Sequence, residues 1–188
     1  DVVGVTEVEN LAVLRTLAQR INADAVAAGQ PDPRYVAYLE EGFDVGGIDV
    51  GFLVKTASVG SVARIAVGSV QQQGADEVLV NPNGSTSVLN DRPPLVLDAA
   101  AHFADGRRYP FTAIVVHQRS LSGIEDDAAG SNGWATAGQR VRDKRQKQAE
   151  YLATLIDGMQ KEDGTRQIVV LGDFNAFEFN DGYVDGMG

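Results

Sequence analysis

The chain contains no cysteine. That excludes disulfides and thiolate metal sites and leaves carboxylate, amide and imidazole as the available site chemistry. Oxygen-rich ligands of this kind suit hard cations such as magnesium, manganese or calcium. Long hydrophobic runs are also missing: nothing approaches the roughly 20 apolar residues that span a bilayer. The first residues lack the charged-then-apolar plan of a signal peptide. Positive charge is scarce as well, with 16 Lys and Arg against 26 Asp and Glu, a formal charge of −10. The deficit argues against a protein that grips nucleic acid mainly by a broad basic surface. It is compatible with a phosphoesterase, because site carboxylates attract phosphate once a divalent cation sits among them.

What is present is the composition of one ordinary globular domain: 188 residues, 44% hydrophobic, 22% charged, 21 glycines. Asp1 to Thr6 reads as a short buried strand, entered with almost no preceding residues. It turns through Glu7-Val8-Glu9-Asn10 into a helix with Leu11, Leu14, Leu17, Ala18 and Ile21 at helical spacing and Asn10 as N-cap. Residues 29–47 read as a loop interrupted by one strand at Tyr35–Leu39, and 48–54 as an alternating strand. Asn81-Pro82-Asn83-Gly84 marks a turn. Leu95–Phe103 and Phe111–Val116 form an antiparallel pair around Ala104-Asp105-Gly106-Arg107. A polar loop, 121–139, carries the single Trp134 and, from its length and its place just after His117, is expected to govern access to the site. An amphipathic helix follows, marked by Val141, Ala149, Leu152, Leu155, Ile156 and Met159. Gln167–Leu171 is apolar enough for a strand buried on both faces. No internal repeat is visible, and the expected architecture is mixed α/β with helices packed outside the sheets.

Three segments share one design, an apolar strand that delivers a polar residue at its end: Glu7 after VVGVT, His117 after AIVV, and Asp173 with Asn175 after IVVLG. Convergent strand ends are where open α/β sheets build sites. If the chain stays extended, Asp173 and Asn175 share a face, as do Glu7 and Glu9. Each segment alone has a plainer reading: an Asx turn, an acidic approach to a helix N-terminus, a structural histidine. Arg140, Arg142, Lys144, Arg145 and Lys147 form the one dense basic run, either an exposed polar helix face or a phosphate-backbone contact. Trp134 could stack a base or pack its loop onto the body. Glu125-Asp126-Asp127 matches no EF-hand and reads as solvated loop; His102, beside the hairpin turn, is assigned no role.

Five blocks taken in order, Val5–Asn10, Gly47–Leu53, Arg92–Leu95, Val115–Ser120 and Gly172–Ala176, resemble the endonuclease/exonuclease/phosphatase superfamily, the deoxyribonuclease I-like fold. The likeness runs through essentially all of residues 1–188. The segment GDFNAFEFNDGY, Gly172 to Tyr183, is most similar to bacterial, often exported, nuclease-like members. The resemblance implies a four-layer α/β sandwich of two packed, largely antiparallel sheets flanked by helices, with the site along one edge between them. It implies a divalent cation, magnesium first, with manganese or calcium as alternatives. Glu7 would bind it, Asp173 would join it and orient or deprotonate the attacking water, and Asn175 would hydrogen-bond the scissile phosphate. His117 would contact that phosphate and stabilise charge in the transition state. Arg92, Arg119 and Asn10 would line the substrate-binding surface.

Thr6 stands where the family ordinarily has glutamine, and Val116 where it often has asparagine. No strand ending in asparagine precedes Asp1, and nothing matches the C-terminal Ser-Asp-His block that supplies a metal-linked aspartate and a histidine acid or base. The expectation is a domain incomplete at both ends, with weak or no turnover by these residues alone. The expected function is a metal-dependent phosphodiesterase acting on DNA or RNA with little sequence preference, in a secreted bacterial protein. A phosphomonoesterase or lipid or sugar phosphatase on the same fold is the first alternative; a non-catalytic binding module is the second.

Overall fold

The structure is a computed structural model and describes residues 1–176. Among them the elements run β1 (Val2–Val8), α1 (Leu11–Ala27), β2 (Tyr35–Leu39), β3 (Asp49–Lys55), β4 (Ser58–Val59), β5 (Val62–Ala63), β6 (Ile65–Gln72), β7 (Val78–Val80), β8 (Thr86–Val88), β9 (Leu95–His102), β10 (Arg108–His117), α2 (Ala137–Glu162) and β11 (Ile168–Asp173). The protein is mixed α/β, as the sequence pattern predicts. Four strands, in the order β11-β10-β9-β6, form one sheet and three, in the order β1-β3-β2, another; β4-β5 and β7-β8 are separate hairpins. Every strand pairing among the described residues is antiparallel except that of β10 with β11.

The two sheets meet through apolar side chains that alternate along their strands. Val50, Phe52 and Val54 of β3 pack against Leu95 and Leu97 of β9 and Ala113 and Val115 of β10. Phe52, Val54, Leu95, Leu97 and Val115 are fully buried, each worth about 1.5–3 kcal/mol in water removed from apolar surface. The solvent-facing alternation expected at 48–54 does not hold, because every residue from Asp49 to Val54 is buried. The reason is α1: Leu53 lies on the other face, packed with Leu14 and Ala18 of that helix. Gly51 makes the approach possible, since a Cβ there would sit 2.7 Å from the Leu14 side chain.

α1 begins where Asn10 predicts it, the Asn10 side chain accepting the Val13 N–H at 2.9 Å. Leu17, placed by spacing on the apolar face, is 46% exposed; Leu14 and Ala18 carry the contact. Thr136 caps α2 in the same way, accepting from Gln139 N–H at 3.0 Å. Leu152 of α2, with Leu155, Ile156 and Met159, covers Val96, Ile114 and Val116 on the outer face of the four-stranded sheet. The strand expected to be buried on both faces, β11, is an edge of that sheet among the described residues, and Val169 is 55% exposed. Its Ile168 and Val170 face α2 and its Leu171 faces the inter-sheet core. Among the described residues no helix is long and apolar enough to cross a membrane.

Two open readings are decided by burial. Trp134 does not present its ring to a base. It is 8% exposed, packs with Leu79 and Leu89, and donates its indole N–H to the Asn81 side chain at 2.9 Å. The basic run is neither a solvated face nor an open phosphate-binding face. Lys144 and Arg145 are 5% and 3% exposed, and Arg142 donates to the Ile124 carbonyl. Only Lys147 of the run, paired with Glu150, lies in solvent.

Trp134→Ala is expected to cost about 3–5 kcal/mol in urea unfolding, and Trp134→Phe less, the remainder reflecting the stranded Asn81 oxygen. A loss for Trp134→Ala below about 1 kcal/mol, the range of surface substitutions, would contradict the packing described.

Candidate functional site

The site grows from the β10–β11 ladder. Thr112 to His117 pair in parallel with Ile168 to Asp173, so His117 and Asp173 are direct neighbours at the ends of their strands. The ladder extends one step further through the Gln118 N–H to the Asp173 carbonyl, 2.9 Å. Gly172 permits this register. Its φ is +128°, and a Cβ would lie 2.1 Å from the Val116 carbonyl oxygen, so no other residue fits without moving the backbone.

The extended continuation expected to place Asp173 and Asn175 on one face does not occur. Asn175 has φ +50°, and the chain folds back in an Asx turn: the Asp173 Oδ1 accepts the Asn175 N–H at 2.7 Å. The Asn175 amide then donates to the Gln118 carbonyl at 2.9 Å. The turn and the site are the same object, since it brings Asn175 back beside the His117–Asp173 pair. One amide hydrogen of Asn175 is used in this way, leaving the second.

The His117 side chain is 5% exposed and its Nε2 lies 3.9 Å from Asp173 Oδ2, whose side chain is 50% exposed. His117 Nδ1 is buried without a hydrogen-bond partner. Burial, and secondarily the Arg92 guanidinium, push the His117 pKa below its ordinary value; Asp173, Glu7 and Asp44 pull the other way and lose. The imidazole is therefore neutral at neutral pH.

Glu7 arrives from the other sheet. Its φ is +58°, and the β1–β3 register slips between Val5 and Val8. A bulge with a left-handed non-glycine residue re-aims a side chain at a local energetic cost. Glu7 is exposed, and its charge acts on His117. Two of the three predicted strand ends, those of His117 and Asp173, thus stand side by side, and the charge of the third, Glu7, is near enough to act on His117.

The remaining predicted residues are placed differently. Arg92 is 9% exposed at its side chain, and all three guanidinium nitrogens have acceptors within the protein: the His117 carbonyl, the Gln118 carbonyl and Asp44. Arg119 turns along its own loop, donating to the Ser120 hydroxyl and the Ser122 carbonyl at 3.0 Å each. Asn10 spends its side-chain oxygen on the helix cap. Beside them stand carboxylates that sequence reasoning missed. Asp44 pairs with Arg92 at 2.7 Å. Glu41 accepts the Leu11 N–H at the start of α1, 3.3 Å. Asp49 is 4% exposed, its pKa raised by burial first and then by Glu41 and Asp44. No short motif marks this trio; the acid-rich stretch 40–49 was the available signal.

Among the described residues no three His, Asp or Glu side chains converge tightly enough to form a metal cage. Magnesium, however, is commonly held by one or two carboxylates with several waters retained. Glu7 and Asp173, carboxylates exposed to solvent at the site, match that chemistry. Neither a protein-family model nor a curated protein matches the chain.

In an NMR titration the His117 ring protons should report a pKa below about 6.5, the unperturbed value; a midpoint at or above it would contradict the burial described. Since the folded pKa is the lower one, neutral His117 contributes stability above the unfolded value, and that contribution is lost as pH falls through the folded pKa. Gly172→Ala should destabilise by roughly 2 kcal/mol or more through backbone strain, read by thermal or urea unfolding. Unchanged stability would show that the β10–β11 register is not as described.

Proposed function

We propose that this chain is the catalytic domain of a divalent-metal-dependent phosphodiesterase of the endonuclease/exonuclease/phosphatase superfamily, acting on DNA or RNA with little sequence preference. The observation that carries the reading is the meeting of His117 with Asp173 at 3.9 Å on paired strand ends, with the charge of Glu7, from the facing sheet, near enough to act on His117. The packing order supports the fold part of the proposal. α1 covers the three-stranded sheet, that sheet packs on the four-stranded one, and α2 covers the far face. A deoxyribonuclease I-like four-layer sandwich would have this order.

The residues divide the work by their surroundings. Asp173 keeps Oδ1 tied to the Asn175 N–H, so its other oxygen, half in solvent, is free to orient a water and take its proton. His117, neutral and nearly dry, offers a ring N–H to a phosphate oxygen at little reorganisation cost. Asn175 has one amide hydrogen left for the same phosphate. Glu7 would hold the cation, with Asp173 as the second carboxylate. The cation would neutralise developing charge and acidify a bound water.

One observation favours a second reading, a phosphomonoesterase or a lipid or sugar phosphatase on the same scaffold. A long polynucleotide is best served by an extended basic, aromatic-lined groove. Trp134, Lys144 and Arg145 are buried in the protein instead. The nucleic-acid substrate therefore rests on the resemblance of the sequence blocks.

The experiment is cleavage of supercoiled plasmid by the full-length gene product with magnesium or manganese, beside an Asp173→Ala variant and a chelator blank. Metal-dependent nicking that falls by about 10²-fold or more in Asp173→Ala, the range for a lost general base, is the expected result. Phosphate release from small phosphoesters without nicking would replace this reading with the second. Silence on both would leave a binding module.

A further inference from the structure

We propose that Arg92 and Asp44 form a positioning pair that fixes His117 and sets the separation of the two sheet edges between which the site lies. Its consequence for catalysis rests on the phosphoesterase reading; its effect on His117 rests on geometry alone. Arg92 Nε donates to the His117 carbonyl at 3.0 Å, Nη2 to the Gln118 carbonyl at 3.1 Å, and Nη1 to Asp44 Oδ2 at 2.7 Å. A planar guanidinium presents donors in a fixed fork and can serve three acceptors at once; an ammonium cannot reproduce that arrangement. With its side chain 9% exposed and that of Asp44 17% exposed, the pair is poorly screened by solvent.

The partners belong to different halves of the fold. Arg92 precedes β9 of the four-stranded sheet, and Asp44 lies in the loop between β2 and β3 of the three-stranded one. That loop is itself tied down, the Phe43 N–H donating to the Asp91 carbonyl at 2.7 Å and the Gly42 N–H to Asp49 Oδ1 at 2.8 Å. A cation clamped on two carbonyls of the His117–Gln118 segment and on a carboxylate of the facing half therefore acts as a strut. Arg92 works through His117: each guanidinium nitrogen already serves an acceptor within the protein and the side chain is 9% exposed, which suits a positioning residue better than a phosphate ligand.

The test compares Arg92→Lys, Arg92→Met and Asp44→Asn with the parent protein by two readouts. The first is the His117 ring resonance at fixed pH, with His102, at the hairpin end of β9, as an internal reference. The second is kcat and KM for metal-dependent cleavage. We expect the His117 signal to move in both Arg92 variants and, by less, in Asp44→Asn, with His102 unmoved. We expect kcat to fall about tenfold or more at nearly constant KM, as for a misplaced catalytic group. Arg92→Lys should not rescue Arg92→Met. Should Arg92→Met fail to fold, Arg92→Lys and Asp44→Asn carry the comparison. An unmoved His117 resonance in Arg92→Lys would overturn the proposal, as would a raised KM at unchanged kcat, which would make Arg92 a substrate contact. If the parent protein cleaves nothing, the phosphoesterase reading falls and the His117 resonance alone decides whether the strut exists.

Discussion

The site depends on the parallel pairing of β10 with β11. Parallel neighbours need a crossover connection, here one built around α2, and the strand ends can meet only if the register is set to the residue. Apolar side chains set it from both faces: Ile114, Val116, Ile168 and Val170 under α2, and Val115 with Leu171 against the other sheet. Gly172 allows the backbones to close at the last step, where a side chain would collide with Val116. A slip of one residue would turn each of these side chains to the opposite face and carry Asp173 away from His117.

α2 also secures the loops that frame the site, and this explains why Lys144 and Arg145 face inward. Lys144 pairs with Asp91 at 2.6 Å, Arg145 donates to the Arg119 carbonyl at 2.6 Å, and Gln148 bridges the Arg119 N–H and the Leu89 carbonyl. Burial lowers the Lys144 pKa first, and Asp91 opposes it. A buried ion pair of this kind adds little net stability, but removing one partner strands the other at a cost of several kcal/mol. The stretches 89–92 and 117–119 are thus held by the helix that returns the chain to β11.

Much of the fold was legible because its signals are local. Asn10 before Leu11 predicts the cap of α1, the Ala104–Arg107 turn predicts the β9–β10 hairpin, and the mixed α/β class follows from the order of periodic segments. The errors are tertiary. Residues 48–54 look one-sided in sequence because Asp49 is polar and Gly51 small; in the structure Gly51 admits Leu14 and Asp49 is buried against the Gly42 N–H. Charge misleads in the same manner at Lys144 and Arg145, whose partners lie far away in sequence. At the site, strand-end logic singles out Glu7, His117, Asp173 and Asn175; the last three stand side by side in the structure, and the Glu7 charge acts on His117. It could not find Asp44, nor the inward commitment of Arg92, since nothing in a lone sequence ties position 44 to position 92. The rest of the GDFNAFEFNDGY segment, from Phe177 to Tyr183, lies outside the described residues.

The central claim is that His117 and Asp173 act as one unit on a phosphoester. Single-turnover cleavage by His117→Ala, Asp173→Ala and the double variant tests it most directly, because groups that work together are strongly non-additive. The account predicts that the double variant is hardly slower than the slower single one. Losses that multiply, or a single variant that cleaves at the parent rate, would contradict it.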